Sequence, residues 1–478
     1  MKAKKNKRLR LFFITVVILS IFIILIGCPT DITPDDGSGS DDGSDNDGSD
    51  NDGSDDDDSD DPVAATGVTI SRSSAYLCRG YSHQLTAAVE PPDADDVSVS
   101  WESTDTTLAT VSSNGLVEAD LSNTGTVDIN VTTNDGGFSD TCEVTVTYPG
   151  DTITYENGIG FTMMFVPGKT FYKEGYEWDY GWGPSYHDPV ETVVSDPYWI
   201  AETEVTYELW YMVREWAENG TGSAEGEGEY SFANQGREGS SGEDGVEPSA
   251  TPYEPVTNIN WRDAMIFCNA LTEAYNANNG TDEDLECVYY EDENYADPFR
   301  DASDDEEILD DPGGMDNPYV KEDADGFRLL SSDEWNLAAR FIVDSNKDGD
   351  VIDAEEYYPG THASGADKDY DGSGSGDLDG DGIEDEVTGD VAVYNAAGTS
   401  EVKSLGVNSA NALGLYDMSG NVWEWSYTKA TNKDSKMRHG GGYKKETSDW
   451  MQIGKFVTSK PWYEDDFIGL RLGRSPSQ

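Results

Sequence analysis

Basic residues are scarce in this sequence. Its 478 residues include 30 Lys and Arg against 96 Asp and Glu, so the formal net charge at pH 7 is −66. A surface with this excess of negative charge repels nucleic acid and anionic membrane surfaces. We therefore expect no nucleic-acid partner. The acidic residues indicate either a well-solvated surface or loops that capture divalent cations.

Cysteine is also rare, with five residues in the chain and none after Cys287. The first, Cys28, ends an apolar segment. If the protein is exported, an oxidising compartment permits disulfides among the other four. Their spacing suggests one pair, Cys78–Cys142, in one domain and a second pair, Cys268–Cys287, in the next, with buried free thiols as the alternative.

The N-terminus has the pattern of an export signal. Six basic residues within positions 2–10 precede an almost unbroken apolar run over residues 11–26, and Gly27 and Cys28 follow. A small residue before Cys at the end of such a run resembles a bacterial lipobox, in which the Cys is lipidated and becomes the first mature residue. The resemblance implies a signal peptide over residues 1–27 and a lipid on Cys28 that binds the membrane. The protein would lie in the bacterial cell envelope, facing the outside or the periplasm. An uncleaved transmembrane anchor is the alternative.

Two segments of different composition follow. Residues 28–62 are mostly Asp, Gly, Ser and Asn. Such a segment cannot bury enough apolar area to fold, so we expect a disordered acidic tether. Residues 63–148 carry short alternating apolar and polar stretches between turn clusters, which is typical of an all-β sandwich. The motif around Trp101 and the run over residues 108–117 resemble the bacterial Ig-like group 2 domain. That resemblance implies a spacer or adhesive module without catalytic residues.

The C-terminal region, residues 155–475, combines short strands, many aromatic residues and long loops. Apolar residues at helical spacing predict helices near residues 210–216, 260–275 and 331–340, with Asn260 capping the second and Ser331 or Ser332 the third. Six motifs resemble, in their order, the formylglycine-generating (sulfatase-modifying factor) family: residues 204–206, 261–271, 326–335, 414–425, 440–443 and 469–471. The resemblance implies an irregular α+β fold related to C-type-lectin-like domains, here preceded by the all-β Ig-like sandwich.

The resemblance also bears on activity. Active members of that family oxidise a sulfatase cysteine to formylglycine with two copper-binding cysteines just after the turn at 440–443. Here Lys445 stands at the first of these positions, and residues 449–450 lie near the second. Because Cu(I) and the redox step need thiolates, we expect neither copper nor formylglycine-generating activity. The four His of the chain also argue against the His-based iron site of another branch of the fold.

A further branch of the fold is a ligand-binding display surface, and it supplies the first functional hypothesis. A surface-anchored lipoprotein would present a catalytically degenerate domain as a binding module for a carbohydrate or an exported protein. The alternative is an active enzyme of the family, a formylglycine-generating oxidase or related oxidoreductase, acting on exported proteins. The predicted binding face consists of Tyr443, Lys445, Trp450, Trp462 and Tyr463.

Two features of this face remain open from the sequence. Its aromatic residues would either stack on sugars or pack in the core. The basic residues around the 440–443 turn would either attract an anionic ligand such as an acidic glycan or balance the acidic surroundings. These basic residues are Lys433, Lys436, Arg438, Lys444 and Lys445.

Calcium is the cofactor that the acidic motifs favour. The 414–425 motif resembles a calcium site of the family. Carried over position by position, the ligands are the carboxylates of Asp417 and Glu424 and the backbone carbonyls of Gly420 and Val422. A hard cation prefers oxygen ligands, and a turn that contains Gly can point its carbonyls inward. A structural turn with solvated acids is the alternative.

An acidic insertion at about residues 344–390 provides further candidates. Its first part fits an EF-hand loop, with these candidate ligands: Asp344, Asn346, Asp348, Asp350 and Glu355. A later part resembles the calcium loops of dockerin or thrombospondin-type repeats, with these: Asp377, Asp379, Asp381 and Asp385. We expect structural calcium ions that order the insertion, and an acidic disordered segment is the alternative.

Overall fold

The structure is a computed structural model that describes residues 62–476, with gaps at 80–81, 121–122, 148–149, 156–157, 180–182, 250–252, 280–283, 304–311, 343–349, 352–356, 367–386 and 431–433. The predicted signal peptide, Cys28 and the tether up to residue 61 lie outside the described residues. So do Lys433 and the predicted calcium ligands between 344 and 385, except for the backbone of Asp350. Within the described part, no helix is long and apolar enough to cross a bilayer.

Nine strands make up the first part of the fold. They are β1 (Gly67–Ile70), β2 (Ser74–Cys78), β3 (Ser82–Gln84), β4 (Ala87–Glu90), β5 (Val99–Ser103), β6 (Ala109–Val111), β7 (Leu116–Ala119), β8 (Gly125–Thr133) and β9 (Ser139–Thr147). They pair in the orders β1-β4, β2-β9-β8-β5 and β3-β7-β6. Alternate residues of the two larger sheets, such as Ile129 and Val117, meet in one buried cluster. The predicted all-β Ig-like part is confirmed.

The second part contains sixteen described strands and four described helices, most of them short. The strands are β10 (Gly150–Thr154), β11 (Gly160–Val166), β12 (Thr170–Asp179), β13 (Gly183–Val193), β14 (Tyr198–Ala201), β15 (Arg237–Glu238), β16 (Val256–Thr257), β17 (Tyr289–Tyr290), β18 (Tyr319–Val320), β19 (Phe327–Leu329), β20 (Asp350–Val351), β21 (Trp423–Lys429), β22 (Lys436–His439), β23 (Lys455–Ser459), β24 (Ile468–Leu470) and β25 (Leu472–Arg474). The helices are α1 (Tyr207–Asn219), α2 (Trp261–Asn279), α3 (Ser332–Arg340) and α4 (Thr388–Val391).

Two sheets organise this second part. One has five strands in the order β10-β11-β14-β25-β19. The other has the order β13-β12-β23-β22-β21-β24, with β20 paired to β12 as a seventh strand. Two short pairs, β15-β16 and β17-β18, lie apart from them. Helices mixed with short, irregularly connected strands confirm the predicted α+β class.

The helices that flank the larger sheet begin where the sequence predicts. At α2, Asn260 Oδ1 accepts the Asp263 N–H at 2.9 Å, and Asp263 Oδ2 accepts the Asn260 N–H at 3.1 Å. At α3, Ser331 Oγ accepts the Glu334 N–H at 3.1 Å, and Glu334 Oε2 accepts the Ser331 N–H at 2.8 Å. Each reciprocal pair satisfies backbone donors that a helix start leaves open.

Both predicted disulfides are wrong, because Cys142, Cys268 and Cys287 are buried free thiols. The pairing of β2 with β9 places Cys78 opposite Thr147. Thr147 is five residues from Cys142, about 16 Å along a strand, so the first pair cannot form. In the second pair, Cys268 Sγ donates to the Ala264 carbonyl at 3.2 Å and Cys287 Sγ approaches a different backbone carbonyl. All three act as small apolar side chains in the core.

The first part of the acidic insertion is enclosed by residues that lie side by side in the fold. Phe341 forms a β-bridge with Tyr357, and the Tyr358 N–H donates to the Arg340 carbonyl at 2.7 Å. Between these ends, Asp350 of β20 lies opposite Thr170 of β12 in parallel register. Two residues of the EF-hand-like segment therefore belong to the larger sheet, while its calcium binding stays a prediction.

Candidate ligand-binding site

Three neighbouring strands, β21, β22 and β23, form the floor of the site. Alternate residues of a strand point to opposite faces, so Lys436 and Arg438 of β22 share one face and His439 takes the other. On the first face, the Lys436 ammonium lies 3.7 Å from the ring centroid of Trp261 in α2. On the second, His439 stacks on Trp335 of α3 at 4.8 Å. The basic side chains of β22 therefore gather on the α2 side of the sheet.

The two positions at which the resemblance places thiols come together in the structure. The Lys445 ammonium lies 3.8 Å from the ring centroid of Trp450. Lys455 of β23 lies 3.6 Å from the same centroid and pairs with Asp449 at 2.8 Å. We call Lys445, Trp450 and Lys455 the Trp450 cluster. It offers positive charge where the resemblance places sulfur.

A glycine turn holds the backbone against this cluster. Gly441 has φ of 84°, in the left-handed region that favours glycine. A Cβ on Gly441 would lie 2.6 Å from the Trp450 carbonyl oxygen, a distance that side chains do not tolerate. The glycines of the 440–443 turn thus allow the close approach to the 3₁₀ turn Ser448–Trp450.

Positive charge predominates around Lys445. Burial lowers the pKa of Lys445, and the charges of Arg438 and Lys455 lower it further, with Asp449 opposing them. Burial also lowers the pKa of Lys455, against its hydrogen bond with Asp449. Cations this close repel one another, and an anion bound among them would relieve that repulsion.

Of the other predicted residues, Tyr463 lies beside Arg438, whereas Trp462 contacts Arg262 and Lys460. The Arg438 guanidinium lies 5.6 Å from the ring centroid of Tyr463, whose residue is 40% exposed. Tyr443 differs from them, because it is only 3% exposed. It packs inside the fold and does not contribute to the exposed face on which it was predicted.

Sequence reasoning missed Lys455, which follows Lys445 by ten residues and contacts Trp450 from the start of β23. One signal was available. Residues 429–474 contain ten Lys and Arg against six Asp and Glu, although the whole chain carries a net charge of −66. This local reversal of charge coincides with the floor of the site.

The 414–425 motif forms a turn that buries acidic side chains. Asp417 Oδ2 accepts the Lys403 N–H at 2.8 Å, and Asp417 Oδ1 is buried without a hydrogen-bond partner. Glu424 accepts hydrogen bonds from Arg471 Nη2 at 2.7 Å and from Trp335 Nε1 at 2.6 Å. The two predicted carboxylate ligands thus lie in the core, one of them held by a guanidinium.

A third carboxylate, that of Glu204, was not predicted as part of this site. It accepts hydrogen bonds from Asn421 Nδ2 at 2.9 Å and from the Val422 N–H at 3.2 Å. Burial raises its pKa well above the ordinary value, and the charges of Asp417 and Glu424 add to the shift. Glu204 and Arg471 both lie within the family motifs, but no local pattern assigns them to this turn.

These residues fit a cation beside Asp417. The feature that suits a hard ion is the buried Asp417 Oδ1, a carboxylate oxygen without a hydrogen-bond partner. Gly420 has φ of 92°, and a Cβ there would lie 2.6 Å from backbone atoms of Val393, which fixes the turn. Among the described residues, no three His, Cys, Asp or Glu side chains are arranged as metal ligands. The predicted site takes two of its ligands from backbone carbonyls, and calcium there stays a prediction.

Comparison with known proteins gives two family matches. Residues 155–476 match the sulfatase-modifying factor enzyme 1-like domain, and residues 64–144 match the bacterial Ig-like domain (group 2). The first match contains every residue of the site described above.

Individual proteins are similar to parts of the chain. The chaperone protein LppX of Paenibacillus barcinonensis is 28% identical over 243 residues, which cover 46% of this chain and 70% of that protein. An Ig-like virion protein of Serratia phage KSP90 is 41% identical over 85 residues, 18% of this chain and 32% of that protein. Among solved structures, Treponema denticola variable protein 1 has a TM-score of 0.42 and 23% identity, covering 69% of this chain and 100% of that chain.

Proposed function

The chain belongs to the sulfatase-modifying factor enzyme 1-like family, and we propose that it uses this domain to bind an anionic ligand, not to oxidise thiols. The Trp450 cluster carries the proposal. Lys445 and Trp450 stand where the resemblance places two thiols, and their contact at 3.8 Å is a cation–π pair. Neither side chain can hold Cu(I) as a thiolate does.

We propose an acidic glycan as the ligand. The Trp450 ring is contacted by two ammonium groups, so this part of the site recognises charge more than it offers an open ring for stacking. The exposed ring of Tyr463, next to Arg438, suits the uncharged face of a sugar. A charged sugar needs both kinds of contact.

We propose further that this binding takes place at the cell envelope. The export pattern of residues 1–27 and a lipid on Cys28 would anchor the chain to a bacterial membrane. The acidic segment over residues 28–62 would act as a tether, and the Ig-like strands would serve as a spacer. The binding domain would then face the outside or the periplasm.

A glycan array probed with the full-length chain tests the ligand. We expect signal on acidic glycans and none on neutral ones. Lys445→Ala should weaken the acidic signal by about tenfold or more, because it removes a partly buried cation from the contact. The matched control is Lys321→Ala, which removes a lysine that pairs with Glu286 far along the chain from the site and should leave the signal unchanged.

Two outcomes would contradict the proposal. One is equal binding of neutral and acidic glycans by the full-length chain. The other is an aldehyde, detected by mass spectrometry, on a sulfatase-type cysteine peptide incubated with the chain and copper. That second result would establish the enzymatic alternative, because formylglycine formation is the reaction of the family's active members.

Calcium has a structural role in this proposal. Asp417, Glu424 and the carbonyls of Gly420 and Val422 would hold one ion, and the acidic insertion would hold others. Such an ion would offset the repulsion among buried carboxylates and order the insertion. It would supply no step of a reaction.

Chelation should therefore destabilise the protein. We expect the melting temperature of the full-length chain to fall in EDTA and to recover when calcium is added in excess, since an ion that binds only the folded state stabilises it by mass action. Differential scanning calorimetry measures the shift. An unchanged melting temperature in excess EDTA would remove the calcium assignments.

A further inference from the structure

A second group of cations and an aromatic ring lies beyond Arg438 from the Trp450 cluster. The Trp462 ring centroid is 5.5 Å from the Arg262 guanidinium and 5.4 Å from the Lys460 ammonium. We call Arg262, Lys460 and Trp462 the Trp462 cluster. It repeats the composition of the Trp450 cluster, but Arg262 is buried and paired with Asp316 at 2.7 and 2.8 Å, so Lys460 is its accessible cation.

The strands set the distance between the two clusters. Lys455 and Lys460 are five residues apart at β23 and the turn that follows it, about 16 Å at the rise of a strand. Arg438 lies between them, because it pairs with Val457 of β23 and donates to Ser459 Oγ at 2.7 Å. Lys455, Arg438 and Lys460 therefore follow one another along the line of β23, and the first two are buried.

The turn after β23 leaves part of this line open to solvent. The Tyr463 N–H donates to the Lys460 carbonyl at 3.0 Å, which folds the turn back so that the Tyr463 ring lies near Arg438. The Lys460 side chain is 45% exposed. An uncharged, accessible ring thus lies between two charged clusters.

The nearby carboxylates restrict the ligand. Asp434 lies 3.9 Å from Lys460, Asp449 pairs with Lys455, and Asp465 accepts the Tyr463 hydroxyl at 2.8 Å. A chain with a phosphate at every unit, such as a single-stranded nucleic acid, would place charges against these acids as well as against the cations. A ligand with widely spaced charges avoids that repulsion.

We infer that the ligand is an acidic oligosaccharide long enough to contact both clusters at once. One charged group binds at Lys445 of the Trp450 cluster, a second binds at Lys460, and an uncharged sugar face lies against Tyr463. This inference rests on the proposed binding function and adds its length and charge spacing. Lys460 is then the residue that distinguishes a long ligand from a short one.

Isothermal titration of the full-length chain with chondroitin sulfate hexasaccharide and disaccharide tests the inference. The wild type should bind the hexasaccharide about tenfold more tightly or better, because two charged contacts form instead of one. Lys460→Ala should lose this preference and bind both alike, whereas Lys460→Arg should keep it. Lys445→Ala should weaken both ligands, and Lys321→Ala should weaken neither.

Three other results of this titration would contradict the proposed function, the inference or the class of ligand. If the wild type binds neither oligosaccharide, the proposed function fails together with the inference. If the wild type binds both, but Lys460→Ala keeps the hexasaccharide preference, only the inference fails. A hexanucleotide that binds as tightly as the hexasaccharide would replace the glycan assignment with nucleic acid.

Discussion

Replacing Arg471 with Met is expected to lower the free energy of unfolding by about 3–5 kcal/mol, since it leaves buried carboxylates without their cation. Arg471 is completely buried and pairs with Glu424 at 2.7 Å. It also donates to the carbonyls of Ala201 and Tyr416 at 2.9 and 2.8 Å. Urea denaturation at pH 8 measures the loss.

The loss should shrink as the pH falls. Burial raises the pKa of both Glu204 and Asp417, and the charge of Arg471 opposes the rise in each. Without Arg471 these pKa values rise further, so the folded variant takes up protons at a higher pH than the unfolded chain. Protonation then relieves the repulsion, and the difference from the wild type should be smaller at pH 5 than at pH 8.

Arg474→Met provides the matched control. Arg474 ends β25, the strand that begins directly after Arg471, and donates to the Asp325 carbonyl at 2.8 Å, but it is partly exposed. Its loss should cost about 1 kcal/mol. Equal losses in the two variants, or a loss for Arg471→Met that does not depend on pH, would show that the buried carboxylates do not govern its effect.

The second large effect concerns Lys436, whose replacement with Met should stabilise the protein below pH 7. Burial lowers the pKa of Lys436 to about 7, with Lys429 adding to the shift and Asp316 opposing it. Its ammonium contacts the rings of Trp261 at 3.7 Å and Tyr427 at 4.9 Å. Cation–π contacts of this kind offset about 2 kcal/mol of the desolvation cost. We expect a net gain of roughly 1–2 kcal/mol for Lys436→Met at pH 6.

The sign of the pH dependence follows from the lowered pKa. Between pH 7 and the ordinary lysine pKa of about 10.4, the unfolded chain binds the proton that folded Lys436 has released. Wild-type stability from this group therefore rises with pH across that window, and the advantage of Lys436→Met disappears by about pH 10. Chemical denaturation at pH 6, 8 and 10 measures both curves.

Lys321→Met is the control for this second effect. The Lys321 ammonium is hydrogen-bonded to Glu286 and takes no part in the contact of Lys436 with its aromatic rings. This hydrogen bond raises the pKa of Lys321. The free energy of unfolding of Lys321→Met should still rise between pH 7 and about pH 10, as in the wild type, because Lys436 is intact. If Lys436→Met retains that rise, another group is responsible for it.

The helices that flank the site could be predicted because their signals are local. The caps of α2 and α3, Asn260 and Ser331, each bond to the backbone three residues ahead. The family motifs, taken in order, also predict the α+β class, which the mixed sheets and helices confirm. Each cap and each motif lies within a few residues of the helix or strand that it predicts.

The contacts that define the site could not be predicted, because they depend on how distant strands pair. Lys436 of β22 reaches Trp261 of α2 across 175 residues, and Glu204 reaches Val422 across 218 residues. The same dependence explains the wrong disulfides. The number of residues between Cys78 and Cys142 does not specify which residues of β2 and β9 lie opposite each other. A shift of one residue in register reverses which face a side chain occupies.

The β-bridge between Phe341 and Tyr357 also makes the domain tolerant of changes in chain length. The chain leaves and rejoins the fold at adjacent positions, where the Tyr358 N–H donates to the Arg340 carbonyl. Closing a loop costs only about 0.6 kcal/mol more for each doubling of its length. The segment on either side of β20 can therefore change in length while the strands that carry the Trp450 cluster keep their register.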